Sequence, residues 1–241
     1  MVDPILQDTL LAMADQSAKR ISRLELDGRV FWCKRRERLG WRMRLQKGDT
    51  IHAFQRELDA YQILADAGLP VPPIVAKRDD LFVIPDCGKN LGRILAHQAG
   101  RPEERLQIFD RAARGLAQFH RAGFSHGRPS LKDVLWDGTQ IRFIDFERFA
   151  PDRTEPGHFA EDVVIMIFNA LSVSGQRCAE VDQLVESYRD AGTDEVWELA
   201  RRRALRMRWL NWITKPIQWR RAGKAKEFKA IPLTLETFAA H

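Results

Sequence analysis

The chain has 241 residues, of which 44% are hydrophobic and 30% charged, a composition that excludes disordered, collagen-like and disulfide-scaffold chains. Its 39 lysines and arginines outnumber 33 acidic residues, but residues 201–226 hold ten basic residues and no acidic one. The rest carries 29 basic against 33 acidic residues, so the positive charge belongs to one segment and the body is mildly acidic.

The cysteines and the apolar segments favour a cytoplasmic protein. Cys33, Cys87 and Cys178 are odd in number and lack CxxC spacing, which argues for a reducing compartment and against zinc. The N-terminus has no basic segment followed by an apolar core, so we predict no signal peptide. The longest uncharged stretch, between Asp162 and Arg177, is shorter than the ~20 apolar residues that span a bilayer.

The front of the chain predicts a small sheet with two helices. Asp27-Gly28 separates two strand-like runs and is a strong signal for a tight hairpin. Apolar residues at helical spacing predict the second helix, which Gly68 ends before a proline-rich stretch. In chain order we predict a helix at 5–19, strands at 21–26 and 29–34, a helix at 51–67 and a strand at 81–84.

The remainder predicts a mostly helical lobe. Pro102 opens an amphipathic helix that runs to His120, and a second turn, Asp137-Gly138, separates two short strands. In chain order we predict a helix at 102–120, strands at 134–136 and 140–144, and helices at 159–172, 177–191 and 193–213. With a linker at 85–90, this divides the chain into a front lobe, residues 1–86, and a rear lobe, residues 87–241.

Residues 126–147, HGRPSLKDVLWDGTQIRFIDFE, are the most informative segment. They resemble the catalytic loop and metal-binding turn of the protein-kinase-like fold, in which H-x-D is followed five residues later by Asn, then by a hairpin and D-F-G. The resemblance puts His126 in the histidine place, Asp133 in the asparagine place and Asp145 in the metal-binding place. Glu147 replaces the glycine, a variant associated with small sugar and lipopolysaccharide kinases and with RIO-like kinases.

The front lobe extends this resemblance. Lys34 ends a strand of the V-A-I-K kind, and Glu57 lies on the following helix as its partner; such a pair holds nucleotide phosphates. Asp133 and Asp145 would supply oxygens for Mg²⁺, and Asp162 would brace the catalytic loop. The resemblance, which covers roughly residues 20–175, therefore implies an α+β, bilobal protein-kinase-like fold with a truncated front lobe, and ATP and Mg²⁺ as cofactors.

Two departures keep two functions open. Arg128 stands in the place of the catalytic aspartate and stays protonated, so it does not accept a proton. No glycine-rich loop precedes Lys34. One reading is an active phosphotransferase in which Asp133 is the base, Arg128 contacts the transferred phosphate, and His126 completes the candidate catalytic set. The alternative is a pseudokinase that acts as a membrane-associated scaffold or regulator.

The acceptor is predicted from the segment between Asp145 and Asp162. These residues are seventeen positions apart and contain no Ala-Pro-Glu. Protein kinases use this region as a platform for peptides, so its brevity favours a sugar or glycolipid acceptor, as in Kdo and lipopolysaccharide core kinases.

Each of these residues also has a simpler interpretation when taken alone. Lys34 belongs to the basic run KRRER and Glu57 to a helix, so both suit a solvated surface. Asp145 lies between Ile144 and Phe146, where a carboxylate is costly to desolvate unless it binds something.

The basic, tryptophan-rich tail at 197–226 has three interpretations. Wound as one helix, residues 201–213 do not separate apolar from charged faces, which fits a terminal helix packed on the rear lobe with arginine stems covering apolar surface. Attraction to anionic lipid, at ~1 kcal/mol per basic residue, would instead make the protein peripheral on the inner face of the cytoplasmic membrane. Nucleic acid ranks third because no binding motif accompanies the charge. The tryptophans are Trp197, Trp209, Trp212 and Trp219.

Overall fold

The computed structural model describes residues 3–36, 50–219 and 225–241, with side chains from residue 53 onward in the second range. Within these ranges the chain forms an α+β structure with two antiparallel sheets. The elements are α1 (Pro4–Asp15), β1 (Ile21–Leu26), β2 (Arg29–Arg35), α2 (Thr50–Asp66), β3 (Ala76–Arg78), β4 (Leu81–Pro85), β5 (Lys89–Asn90), α3 (Leu91–Ala96), α4 (Pro102–Arg121), β6 (Val134–Trp136), β7 (Ile141–Phe143), α5 (Pro156–Ser174), α6 (Ala179–Ala191), α7 (Asp194–Arg206), α8 (Arg208–Gln218) and α9 (Lys226–Ala240).

The front sheet has the strand order β1-β2-β4-β3 and is antiparallel throughout. Its first hairpin turns at Asp27 and Gly28, which both have positive φ (51° and 73°). A two-residue turn needs these backbone angles to match the right-handed twist of the two strands. Side chains alternate along β4, so Val83 joins the cluster under α1 whereas Phe82 lies against Phe54 of α2. The sheet is therefore covered on both faces.

One large hydrophobic cluster extends from α2 into the rear lobe. The buried face of α2, which includes Leu58 and Tyr61, belongs to the same cluster as Phe119 and Phe146. A smaller cluster lies between α1 and the sheet. The proposed lobe boundary near residue 86 falls between β4 and β5, and the larger cluster crosses it.

The segment between the lobes is fastened to the rear lobe. The predicted linker at 85–90 contains a strand that was not predicted, β5. This strand pairs with β6 and joins the three-stranded sheet β5-β6-β7. Gly88 precedes β5 with a φ of 82°, and a Cβ on it would lie 2.1 Å from the Trp136 carbonyl oxygen. Glycine is required here by both the backbone angle and the close approach.

The rear lobe is built on α4 and α5. α4 packs against α6, and α5 packs against α7 and α9. The short elements β3 and α3 were not predicted, because three or six residues carry too little periodicity; α9 was also missed, and it contains Pro232. None of the helices within the described ranges has the length and apolar content needed to cross a bilayer.

The predicted helix at 193–213 is two helices. α7 ends at Arg206, and Met207 begins a new register in which the Leu210 amide donates to the Met207 carbonyl. Trp197, on α7, is buried and stacks on Phe238 with ring centroids 5.2 Å apart. The tail's other tryptophans are exposed, and residues 220–224 of the predicted tail lie outside the described ranges.

Candidate active site

A cleft of about 630 Å³ lies between the two lobes. Its lining includes the apolar side chains of Tyr61, Phe82, Ile84, Leu135 and Ile144. Ion pairs connect six charged lining residues into one cluster, the charged end of the cleft: Arg20, Lys34, Lys132, Asp133, Asp145 and Glu147. A cleft with apolar lining and a few convergent charges is the general form of a small-molecule site.

Lys34 is held by carboxylates from both lobes. The alternation of β2 turns Cys33 toward α1 and leaves Lys34 on the opposite face. Its Nζ donates to Glu57 Oε1 at 2.6 Å and to Asp145 Oδ1 at 3.2 Å. Burial works against the ammonium charge, but the neighbouring carboxylates, Glu57 foremost, raise the pKa of Lys34. The side chain therefore stays charged at neutral pH.

Asp145 is positioned by an unusual backbone and by an aromatic anchor. Its φ is 69°, a left-handed conformation that is uncommon outside glycine. The next residue, Phe146, is fully buried and meets the Tyr61 ring edge-on with centroids 5.0 Å apart. Burial opposes ionisation of Asp145, yet Lys34 and, less strongly, Lys132 lower its pKa. The result is a fixed carboxylate aimed into the cleft.

An ion pair closes the charged end of the cleft. Arg20, just before β1, places Nη2 2.5 Å from Glu147 Oε1, and that oxygen lies 3.5 Å from Lys34 Nζ. Arg20 and Glu147 are both about half exposed, at 47% and 49% of the side chain. This contact stands at the position where the sequence lacks a glycine-rich loop.

Asp133 is a buried carboxyl at the floor of the cleft. It ends a short 3-10 turn (Leu131–Asp133), and Ser130 Oγ donates to its Oδ2 at 2.8 Å. Burial raises the pKa of Asp133 to about 6, although the Ser130 hydrogen bond opposes the shift. At neutral pH the group is mostly ionised and is close to its titration range.

Asp133 and Asp145 face a common cation. Lys132 Nζ lies 3.6 Å from Asp133 Oδ1 and 3.8 Å from Asp145 Oδ2. Two carboxylates around one positive charge fit the oxygen chemistry of Mg²⁺. In the parts of the chain that are described, no group of three or more His, Cys, Asp or Glu side chains forms a metal site. Phosphate and water oxygens would therefore have to complete the coordination.

His126 lies in the wall behind the cleft. Its ring is buried, and Nε2 donates to the Ile144 carbonyl at 3.2 Å. Burial lowers the pKa of His126 and keeps the ring neutral. The buried Asp162 accepts from the amides of His126 at 2.6 Å and of Gly127 at 3.0 Å, so it braces this loop. His126 is thus a positioning group.

The candidate residues divide into two sets. The structure brings Lys34, Asp133 and Asp145 together around the charged end of the cleft, with Glu57 behind Lys34. Arg128 is exposed, and the described residues that line the cleft do not include it.

Sequence reasoning missed the two other cations of the site, Arg20 and Lys132. Arg20 directly precedes a predicted strand, and Lys132 directly precedes Asp133. These neighbouring positions were the only sequence signals that could have pointed to the two residues. Both side chains are long, and their partners lie on other elements or depend on a turn, so local pattern alone does not place them.

Comparisons with known proteins show the fold. No family model matches the chain. An uncharacterized protein of Haemophilus influenzae is 28% identical over 137 residues, an alignment that spans 57% of this chain and 57% of that protein. Aminoglycoside phosphotransferase APH(2'')-Ib with bound ADP superposes with a TM-score of 0.52 at 12% identity, covering 98% of both chains. The gentamicin complex of APH(2'')-IIa gives 0.51 at 10%, covering 98% of this chain and 97% of that one. The predicted α+β, bilobal protein-kinase-like fold is confirmed.

Proposed function

We propose that this chain is an ATP-dependent phosphotransferase. The observation that carries the proposal is Lys34, which is held between Glu57 and Asp145 in an interlobe cleft beside Asp133. These residues occupy the positions that the kinase resemblance assigns to phosphate and metal binding. The shared fold with a phosphotransferase that was solved with ADP supports the same assignment.

A nucleotide would use two parts of the cleft lining. The apolar side chains, which include Ile84 and Leu135, suit a flat base, and the charged end suits phosphates. Lys34 would donate to phosphate oxygens while Glu57 keeps its ammonium oriented. Because phosphoryl transfer depends mainly on positioning and charge neutralisation, this anchor would be the largest contribution of the front lobe.

Asp145 and Asp133 would hold Mg²⁺ on the rear side of the cleft. When bound, the ion neutralises the charge on the phosphate oxygens. Asp145 is suited to this role because its lowered pKa keeps it ionised. Lys132, which lies between the two carboxylates, would move to the phosphates when they enter.

Asp133 is the proposed base. As the acceptor oxygen forms a bond to the terminal phosphorus and the bond to the leaving phosphate oxygen breaks, the acceptor's proton would pass to Asp133. A pKa of about 6 leaves that carboxylate ionised but basic enough to take a proton at pH 7. Arg128 would contact the transferred phosphate from the exposed side of the loop, and His126 would hold the loop in place.

The proposed acceptor is a sugar or a lipopolysaccharide-type glycolipid, as in the Kdo and lipopolysaccharide core kinases that the sequence resembles. The short segment between Asp145 and Asp162 supports this choice because it leaves little room for a peptide platform. A glycolipid acceptor would place the protein on the cytoplasmic face of the membrane, as a peripheral protein.

The alternative, a pseudokinase, also has an observation in its favour. Arg20, Glu147 and Lys34 satisfy one another's charges without a nucleotide, and Arg128 replaces the usual base. Such a chain would bind nucleotide weakly or not at all and would act as a membrane-associated scaffold.

A nucleotide-binding and transfer experiment separates these functions. Thermal shift and calorimetry with ATP and Mg²⁺ should show binding by the native chain and by Asp8→Asn, a surface carboxylate control, but not by Asp145→Ala. Labelled phosphate should then appear on a sugar or glycolipid acceptor. Binding without any transfer or hydrolysis would establish the pseudokinase, and unchanged binding in Asp145→Ala would refute the assigned site.

A further inference from the structure

Helix α8 exposes its largest apolar side chains to solvent, unlike a typical helix of a globular protein. Its outward face carries Trp209, Trp212 and Ile213, whose side chains are 58%, 82% and 62% exposed. Trp219, which caps the helix, is 79% exposed. With 3.6 residues per turn, positions 209, 212, 213 and 216 fall on one side of the helix. Large apolar side chains are thus gathered on the solvent side.

The inward face of α8 mixes polar and apolar side chains, because Leu210 and Ile217 are half-buried there beside Asn211, Thr214 and Gln218. Thr214 is buried and donates to the Leu210 carbonyl at 2.5 Å. Gln218 Nε2 donates to Asn211 Oδ1 at 3.0 Å and to Thr214 Oγ1 at 2.9 Å. These groups satisfy one another on the side that packs against α9. Water as the sole solvent would favour the opposite arrangement, since burial of the tryptophans would remove more apolar surface.

The break at Met207 creates this face. A continuous helix through residues 201–213 would mix arginines with tryptophans, as the sequence predicted. Because α8 starts a new register at Arg208, its exposed side gathers Trp209, Trp212 and Ile213, and Arg208 and Lys215 lie along one edge of that side. A helix with one apolar aromatic side and a basic border is typical of the interface of a bilayer.

The charge around the face selects the kind of surface. Residues 201–219 carry six basic side chains and no acidic one. The arginines of α7 at 202, 203 and 206 are exposed, next to α8 in the chain. Such a border complements anionic lipid headgroups, while tryptophan rings suit the headgroup depth.

We propose that α8 is a membrane-docking helix that lies in the plane of an anionic bilayer, with Trp209, Trp212, Ile213 and Trp219 inserted at headgroup level. Trp197 has no part in it, because its ring belongs to the core. This inference deepens the proposed peripheral membrane location, because it assigns the contact with the bilayer to one face of one helix. It does not depend on phosphate transfer, since α8 contributes no residue to the cleft lining within the described chain.

The test is co-sedimentation of the full chain with vesicles of phosphatidylglycerol and phosphatidylethanolamine, and with vesicles of phosphatidylcholine alone. The native chain should pellet with the anionic vesicles and remain soluble with the neutral ones. The double variant Trp212→Ser/Trp219→Ser should bind the anionic vesicles at least about tenfold more weakly, because two inserted rings are lost. Arg208→Gln/Lys215→Gln should weaken binding in a salt-dependent way.

Matched variants distinguish docking from general stickiness or misfolding. Ile5→Ser removes an apolar side chain that is 77% exposed on α1, and it should leave vesicle binding unchanged. Circular dichroism and the ATP-induced thermal shift should be the same in the tryptophan variant as in the native chain. A failed ATP shift in all variants with intact vesicle binding would count against the catalytic proposal alone.

Three outcomes would overturn the docking proposal. Equal pelleting of the native chain and the tryptophan variant would show that the face does not insert. A native dimer that the variant converts to a monomer, without vesicle binding by either, would identify a second copy as the occupant. Tight salt-dependent binding of RNA or DNA, without vesicle binding, would assign the basic border to nucleic acid.

Discussion

The two walls of the cleft differ in how much of the kinase-like charge pattern they retain. One wall, which we call the phosphate wall, holds Lys34, Glu57 and Asp145. Lys34 Nζ lies 2.6 Å from Glu57 Oε1 and 3.2 Å from Asp145 Oδ1. On the loop wall, which contains residues 126–133, Asp162 still braces the backbone, but Arg128 replaces the usual base and is not among the described residues that line the cleft. The loop thus keeps the backbone support of the kinase-like fold, but the side chain in the place of the catalytic aspartate is an arginine.

This difference indicates which functions each wall can support. The proposed phosphotransferase requires the phosphate wall to bind a nucleotide, whereas the pseudokinase would bind one weakly or not at all. Transfer of phosphate depends on whether Asp133 does the work of the missing aspartate. Variants on the two walls should therefore separate binding from transfer.

The largest effect is expected from Asp133→Asn. Removal of the proposed base and of one proposed metal ligand should lower the transfer rate about 10²-fold or more, because general base catalysis contributes 10²–10⁴-fold. Asp137→Asn, a carboxylate in the exposed turn of the same hairpin, is the matched control. A transfer rate unchanged by Asp133→Asn would move the base elsewhere.

The same substitution should stabilise the fold in a pH-dependent way. The pKa of Asp133 is about 6 in the folded state and near 3.8 in the unfolded state, so the folded state binds the proton more tightly. Its contribution to stability is present below pH 4 and is lost as the pH rises through 6. Asp133→Asn should therefore raise the free energy of unfolding by roughly 1–3 kcal/mol at pH 7 and change it little at pH 4. Urea unfolding at both pH values measures this.

Lys34→Ala tests the phosphate wall alone. Loss of a charge-assisted contact worth about 1.5–3 kcal/mol should weaken ATP binding by about 10- to 150-fold. Calorimetry measures the affinity, and Lys77→Ala, an exposed lysine on β3, is the control. Equal loss of affinity in both variants would mean that general positive charge, not the site, attracts ATP.

Arg128→Asp distinguishes a phosphotransferase that uses Arg128 from a pseudokinase that is inactive because it lacks the aspartate. In the proposed phosphotransferase the transfer rate should fall about tenfold, because a phosphate contact is replaced by repulsion. In a pseudokinase the restored aspartate should instead create or raise transfer. Arg128→Lys keeps the charge and should stay close to the native rate.

The smallest effect is expected from Arg20→Ala. The Arg20–Glu147 pair is about half exposed on each side, so its loss should change stability by less than about 1 kcal/mol. If the pair closes the cleft in the absence of nucleotide, the association rate of ATP should rise severalfold, as stopped-flow fluorescence would show. A slower association would indicate that Arg20 attracts the phosphates directly.

Sequence patterns located the parts of the site that are tied to the ends of strands and loops. Lys34 is the second-last residue of β2 and Asp145 lies two residues after β7, so their places in the fold follow from strand order. Patterns could not locate contacts made by long side chains across elements, such as Arg20 to Glu147. They also missed the break at Met207, because no glycine or proline marks it and the α8 helix that follows contacts α9, which was not predicted.

The hydrophobic cluster that crosses the lobe boundary has a consequence for how the chain folds. The buried face of α2, with Leu58 and Tyr61, joins the cluster of Phe119 and Phe146, so neither lobe closes a complete core by itself. Unfolding should therefore proceed as one cooperative transition. Urea melts followed by tryptophan fluorescence and by circular dichroism should coincide. A chain cut after residue 86 would leave α2 without its rear-lobe partners, and its front piece should stay unfolded until the rear piece is added.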